Sequence, residues 1–360
     1  MERKLRVALL FGGRSAEHDV SLMSAANVYG ALDSARYEVV PIAVARAGAW
    51  MLCPLPEGKF PTQVPAGGPL VTLLPGGGGR LVVASHEGSV VEPPAPVDVI
   101  FPVLHGPFGE DGSVQGLAEL AGVPFVGASV FASAAAMDKD AAKRLLRDAG
   151  LPIPRFRVVT PDDVPSFAEV AAELGRPLFV KPARLGSSVG VGRADTAEEF
   201  AAALAEAFRH DRKVLIEEFM RGREVECGVL EDADGTLTTS LPGEIVPTNR
   251  YAFYTYEAKY LDERGAELKV PADLPKAVVK RVQELSVRAF QALGCEAMAR
   301  VDFFLRPDMS VLINEVNTIP GFTNISMYPL AFKASGVSYA ELVDRLIEHA
   351  LARAERSPQT

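Results

Sequence analysis

Cysteine is scarce in this chain. Its 360 residues include three, Cys53, Cys227 and Cys295. No pair has the Cys-x-x-Cys spacing, so the sequence encodes neither a disulfide framework nor a zinc knuckle. A reducing compartment, the cytoplasm, is the expected setting. Positive charge is also in deficit. The formal net charge is −9 and no long basic run offsets it, which argues against a nucleic-acid partner, because backbone phosphates require a basic face. The first apolar run, residues 5–11, is too short for a secretory signal core or a bilayer span, so it reads as a buried strand and no membrane partner is expected. Neither a Walker A loop nor a Rossmann glycine fingerprint occurs. With 48% hydrophobic and 23% charged residues, the composition is that of an ordinary soluble protein. The length exceeds one simple core, so two or three domains are expected.

What is present is concentrated late in the chain. Arg300-Val-Asp-Phe-Phe-Leu, a polar turn at 306–310, and Ile313-Asn-Glu-Val-Asn-Thr-Ile-Pro-Gly321 predict a hairpin of two apolar strands. Side chains two apart on a strand share a face. Glu315 and Asn317 therefore project together, and the hairpin brings Asp302 alongside. Carboxylates in strands this apolar are costly unless paired or metal-bound. Three hard oxygen ligands, without sulfur or imidazole, suit Mg²⁺, which keeps waters and binds substrate phosphates. The pattern points to nucleotide chemistry.

Strand 5–11, a helix near 21–32 and strand 37–44 make a β–α–β opening typical of a parallel α/β domain. The Pro- and Gly-crowded stretch 53–97, with Gly76-Gly-Gly-Gly79, reads as an insertion and hairpin rather than a phosphate loop. A strand at 97–103 ends at His105-Gly106. A helix over 137–150 closes on Gly150. Strands at 155–159, 178–182 and 214–219 alternate with a helix at 166–174 and one running to 210 from the capping box Thr196-Ala-Glu-Glu199. Beyond 228 the pattern is strand-rich, with a helix at 276–293, the hairpin, and a last helix from Tyr339. Three domains follow: a Rossmann-like domain at 1–136, a central domain at 137–227 and a C-terminal domain at 228–360.

Several loops carry chemistry. Gly186-Ser-Ser-Val-Gly-Val-Gly192 lets backbone N–H groups approach a phosphate. It also fits G-x-S-x-G, with Ser188 as formal nucleophile, but that motif requires a helix immediately after the turn. Here 189–193 read as strand, so a hairpin over a nucleotide fits better, with a plain flexible hairpin as the alternative. A serine hydrolase built on Ser188 with His210 or His349 is the rival reading. Lys181 ends the strand before this loop and can reach phosphates as a point charge. Lys139 sits in the first turn of its helix, where a cation opposes the macrodipole. Glu217 and Glu224 flank the turn at 220–223, as acceptors for an adenine amino group and ribose hydroxyls or as solvated acids. Glu17, in the first βα loop, could hold a substrate ammonium or simply face a helix N-terminus. His105 stands at another strand end. Tyr251-Ala-Phe-Tyr-Thr-Tyr-Glu-Ala-Lys-Tyr260 is either strand packing or an active-site lid.

Together these residues resemble the ATP-grasp fold and, within it, the D-alanine–D-alanine ligase family, over nearly the whole chain. The motifs are Phe11-Gly-Gly-Arg-Ser-Ala-Glu-His18, Leu104-His-Gly-Pro-Phe-Gly-Glu-Asp-Gly112, Met137-Asp-Lys139, Val180-Lys-Pro182, Gly186-Ser-Ser-Val-Gly190, Tyr256-Glu-Ala-Lys-Tyr260, Arg300-Val-Asp302 and Asn314-Glu-Val-Asn-Thr-Ile-Pro-Gly-Phe-Thr-Asn-Ile-Ser-Met327. The implied fold is α/β, with α+β character in the C-terminal part.

The resemblance implies that ATP phosphorylates one D-alanine and the amine of a second displaces phosphate, for peptidoglycan precursor synthesis. It implies Mg²⁺ or Mn²⁺, as two ions, on Asp302, Glu315 and Asn317, and phosphates clamped by Lys139 and Lys181. Glu217, Glu224, Ser188 and Lys259 would complete the ATP site. Arg300 and the N–H of Gly321 would stabilise the oxyanion, Glu17 would bind the first ammonium with His105 nearby, and Ser326 and Met327 would receive the second carboxylate. Ser187 would link Glu17 to Tyr260 and close the site. Tyr260 and Met327 favour an amine acceptor over D-lactate. A homodimer is expected from the family alone. Two departures are the long 53–97 stretch and Leu185, where relatives often carry an acid.

Overall fold

Three sheets follow one another along the chain in the computed structural model, which describes residues 3–55, 58–84, 94–186, 189–247 and 266–356. The first region runs β1 (Leu5–Gly12), α1 (His18–Ala31), β2 (Tyr37–Val44), β3 (Trp50–Leu52), β4 (Leu70–Leu73), β5 (Leu81–Ala84), β6 (Val99–Pro102), α2 (Ser113–Ala121) and α3 (Val130–Met137). The sheet order is β5-β4-β3-β2-β1-β6. β1 lies parallel to both β2 and β6, and the consecutive residues Val7, Ala8, Leu9, Leu10 and Phe11 on it are fully buried, as expected of a strand covered on both faces. The Rossmann-like expectation holds for these three strands. The 53–97 stretch supplies the hairpin read from its glycines, β4 against β5, and the sheet there is antiparallel.

The second region contains α4 (Lys139–Asp148), β7 (Phe156–Val159), α5 (Phe167–Leu174), β8 (Leu178–Pro182), β9 (Gly192–Ala194), α6 (Ala197–His210) and β10 (Val214–Glu218), with sheet order β7-β10-β8-β9. The helix expected over 137–150 is interrupted. Asp138 is extended, and its side chain caps α4 by accepting from the N–H groups of Asp140 and Ala141. The break places Lys139 at the first position of α4. The capping box at Thr196 is formed in both directions.

The third region contains β11 (Arg223–Glu231), β12 (Leu237–Thr239), β13 (Gly243–Pro247), β14 (Ala266–Lys269), α7 (Lys276–Ala292), β15 (Met298–Leu305), β16 (Val311–Asn317), α8 (Met327–Ala334) and α9 (Tyr339–Arg356), with sheet order β14-β13-β11-β15-β16. The expected boundary at 227/228 falls inside β11, a continuous strand whose partners all lie in the third sheet, so the change of sheet comes at 219–222. α8 had no sequence expectation, and Pro329 sits in it. Proline is tolerated there, in the first turn, where its missing N–H has no intrahelical partner. The last helix returns to the first domain: Leu342, Leu346 and Ile347 share one core with Val7, Leu9 and Val99. No helix among the described residues is long and apolar enough to cross a membrane.

Candidate active site

The predicted hairpin forms as β15 and β16, and its register aligns the expected ligands. Asp302 stands opposite Glu315, and Arg300 opposite Asn317. On the other side of β15, Glu226 stands opposite Asp302. Three carboxylates are thus abreast across three strands on one face. Arg300 bridges two of them: its Nε and Nη2 donate to the two oxygens of Asp302 at 2.7 Å, and Nε lies 2.8 Å from Glu226 Oε2. Asn317 Nδ2 donates to Asp302 Oδ2 at 3.0 Å. Glu226 had not been anticipated; only strand pairing brings it here.

Between Asp302/Glu315 and Phe303/Ile313 the register slips by one residue, leaving Asn314 as the extra residue of a β-bulge. Its buried Oδ1 has no hydrogen-bond partner among the described residues. No three His, Cys, Asp or Glu side chains among the described residues form a metal cage by themselves. Two carboxylates and amide oxygens, completed by ligand phosphates, remain a donor set that fits Mg²⁺.

A cavity opens between the second and third sheets. Lys139, Phe179, Lys181, Gly186, Glu217, Glu224, Phe304, Asn314 and Glu315 are among its walls. Lys139 Nζ donates to the Leu185 carbonyl at 2.5 Å and lies 3.9 Å from Glu315 Oε2. The Leu185 departure therefore leaves this contact intact, since the backbone makes it. Lys181 Nζ lies 2.8 Å from Glu217 Oε2. Lys143, which the sequence reading passed over, is fully buried with Nζ 3.0 Å from Glu217 Oε1. Burial pushes the Glu217 carboxyl up, but the charges of Lys143 and then Lys181 outweigh it and hold it below the ordinary range. Glu217 is therefore an ionised carboxylate shared by two lysines, and an adenine amino group would have to use a remaining lone pair. The i, i+4 spacing of Lys139 and Lys143 was the available signal.

A second centre forms where the first domain meets the loop after β16. Glu17 stands just before α1 with its Oε2 between two glycines; a Cβ at Gly106 or Gly186 would lie 3.1 or 3.3 Å from it. His105 is buried, with Nδ1 3.1 Å from the Ile319 carbonyl and Nε2 3.4 Å from Ser24 Oγ. Burial lowers its pKa against the pull of Glu17, which favours the neutral ring.

Glu110, also unanticipated, spans the two domains. Its Oε2 accepts from Gly106 N at 2.6 Å and its Oε1 from Ile319 N at 3.2 Å. Burial, then the charge of Glu17, push its pKa up to about 8. At Gly321 a Cβ would lie 2.7 Å from Ser326 Oγ, so the backbone there is approached as closely as glycine allows. Ser326 precedes α8, and its Oγ accepts from Thr323 N at 3.0 Å. Met327 begins α8, with its side chain buried against Gly243. It can therefore meet a carboxylate through its helix-terminal N–H rather than its sulfur.

Ser187, Ser188, Lys259, Tyr260 and the rest of the 251–260 segment lie outside the described residues. Of the bases in the hydrolase reading, His210 lies 2.9 Å from Glu206 and His349 is buried against Glu231 at 3.1 Å, while its nucleophile, Ser188, is outside the described residues.

A cleft clasped between two sheets, with two lysines and Glu315 of the carboxylate row in its walls and a recessed acidic centre beside it, is the arrangement of an ATP-grasp enzyme. Comparison with known proteins narrows the class. Residues 6–128 match the family described as D-ala D-ala ligase N-terminus, and residues 145–348 match D-ala D-ala ligase C-terminus. The chain is 61% identical to D-alanine--D-alanine ligase A of Mesorhizobium japonicum, over 98% of this chain and 99% of that one. Among solved structures, the D-alanine-D-alanine ligase of Coxiella burnetii superposes with a TM-score of 0.85 at 38% identity, covering 98% of this chain and 95% of the other. The VanG D-Ala:D-Ser ligase of Enterococcus faecalis does so with 0.83 at 34%, covering 97% and 100%. This chain belongs to the D-alanine–D-alanine ligase family.

Proposed function

We propose that this protein joins two D-alanines in an ATP-dependent reaction, through a D-alanyl phosphate, and supplies the dipeptide for peptidoglycan precursors. The observation that carries the reading is the row Glu226–Asp302–Glu315 with Arg300 laid across it, coupled to the Glu17–His105 centre by Glu110. Little covalent help is needed for such a transfer; the protein positions groups and neutralises charge.

Glu17 holds the ammonium of the first D-alanine, and neutral His105 lines the same centre. Lys139 and Lys181 clamp the nucleotide phosphates. Lys143 keeps Glu217 fixed, and Glu224 reaches the ribose. Asp302, Glu315 and Asn317 would hold Mg²⁺ or Mn²⁺, which supplies charge neutralisation at the phosphates. Attack by the carboxylate of the first D-alanine on the γ-phosphorus gives ADP and the acyl phosphate. The amine of the second D-alanine then attacks the acyl carbon, and phosphate leaves. Arg300 and the N–H of Gly321 stabilise the tetrahedral oxyanion. Ser326 and the first turn of α8 receive the second carboxylate. Ser187 and Tyr260 close the site, while Ser188 and Lys259 join the nucleotide contacts. The cytoplasm is the proposed compartment, in keeping with three free cysteines. A homodimer is the proposed assembly, to be checked by sedimentation.

The test is phosphate release from purified protein with ATP and Mg²⁺, with the dipeptide identified by mass. D-alanine alone should support release; L-alanine should not. Likeness to a D-Ala:D-Ser ligase makes D-serine the second acceptor to include, beside D-lactate. Absence of release with D-alanine, while ADP still binds, would overturn the substrate.

A further inference from the structure

The carboxyl edge of the first sheet holds a cavity that this reaction does not use. The chain leaves β1 for β2 on one side and returns to β6 on the other. The loops after β1 and β6 therefore part above the sheet, the place where open α/β sheets bind ligands. The gap has a volume of about 440 Å³, within the roughly 300–1,000 Å³ of small-molecule sites. Val44, Trp50, Val71, Leu104 and Leu117 give it an apolar side, and Arg14, Thr72, His105 and Ser113 add polar groups. It shares no wall residue with the nucleotide cavity, and of the amino-acid centre it touches only His105.

Arg14 stands at the mouth. Its guanidinium carbon lies 4.3 Å from the centroid of the Phe108 ring. The side chain is exposed and makes no ion pair among the described residues. Gly48 leaves room for its stem, since a Cβ there would lie 3.0 Å from Arg14 Cδ. A cation stacked on an aromatic ring above a cavity with one apolar side complements a ligand with an apolar body and one anionic group. The lips of the cavity are also the loops of the amino-acid centre: Ser15 Oγ donates to the His105 carbonyl at 2.7 Å and accepts from Glu17 N at 3.1 Å.

We propose that this crevice is a second small-molecule site, for an amphipathic carboxylate, and that its occupancy shifts the placement of Glu17 and hence binding of the first substrate. Trp50 is the only tryptophan of the chain and lines the cavity, so its emission reads binding directly. Hydrocinnamate is the probe, and its neutral amide the control. The acid should shift Trp50 emission saturably in the full chain, bind roughly tenfold more tightly than the amide, persist in the presence of ADP, and change the KM for the first D-alanine. Arg14→Met should weaken it roughly tenfold while basal phosphate release stays unchanged. Leu117→Phe, which keeps Arg14 and narrows the apolar end, should weaken it as well. No saturable shift, equal binding of acid and amide, full binding by Arg14→Met, or displacement by ADP overturns the site. Binding with an unmoved KM overturns its action on the substrate loop. Basal release in the same samples reports the ligase reaction separately.

Discussion

The nucleotide cavity and the amino-acid centre each recess a glutamate, and the two are driven in opposite directions. Glu217 is flanked by Lys143 and Lys181, whose charges hold it ionised against burial. Glu110 has Glu17 as its charged neighbour, and burial with that like charge raises it to about 8. One cluster carries two lysines for one carboxylate and suits phosphates. The other carries two carboxylates beside a neutral histidine and suits an ammonium. Residue type alone does not set the state of a carboxylate; the sign of its neighbours and the loss of water do.

That contrast can be broken at several points. The largest effect is expected at the carboxylate row between the two centres. Asp302→Ala removes a proposed metal ligand and an ion-pair partner of Arg300, so turnover should fall roughly a thousandfold. Near-normal turnover at low Mg²⁺ would refute the assigned role.

On the nucleotide side, Lys143→Met strips one cation from a fully buried carboxylate. A loss of about 3–5 kcal/mol is expected in urea unfolding. Much of it should return only in Lys143→Met/Lys181→Met/Glu217→Leu, because Lys181 would otherwise be left buried without its carboxylate, whereas apolar groups of similar volume can replace a buried ion cluster. If the single variant is as stable as the parent, the cluster is not what holds β10 to α4.

At the proposed second-substrate end, Gly321→Ala places a methyl against Ser326 Oγ. The expected cost is about 1–2 kcal/mol, read as a roughly tenfold rise in KM for the second D-alanine with little change in ATP binding. An unchanged KM would show that the loop after β16 yields.

The last effect is one of pH. The Glu110 carboxyl is raised in the folded state, so folded protein holds a proton that the unfolded chain has released. Stability should therefore fall as pH rises from near the ordinary carboxylate pKa of about 4.5 and level off above about 8. Glu110→Gln keeps the shape and removes the titration, so its Tm should vary less across that window. Parallel Tm–pH curves for the two proteins would place the proton elsewhere.

Much of this was legible in the residues. The β15–β16 hairpin, the partner strands at 37–44 and 178–182, and the capping box at Thr196 formed as read, because each depends on period, turn chemistry or contacts a few residues long. The break at Asp138 was less visible, since a helix-compatible pattern runs through it and the cap decides only in three dimensions. Glu226, Lys143 and Glu110 were passed over for one shared reason. Each acquires its role from a partner it meets across a sheet, a buried cluster or a domain boundary: Glu226 meets Asp302, Lys143 meets Glu217, and Glu110 meets Ile319.

The chemistry on offer is written in the residues: hard oxygen donors on alternating strand positions, lysines at a strand end and a helix start, and glycines where backbone must come close. The family is written there as well, because those motifs recur in order. Tertiary structure alone decided which charges meet. Register set Asp302 between Glu226 and Glu315, and the docking of the β16 loop on the first domain set Ile319 against Glu110 and His105. Local propensity extends over a few residues. Burial and Coulomb energy depend on distance in space, and the fold brings together residues hundreds of positions apart.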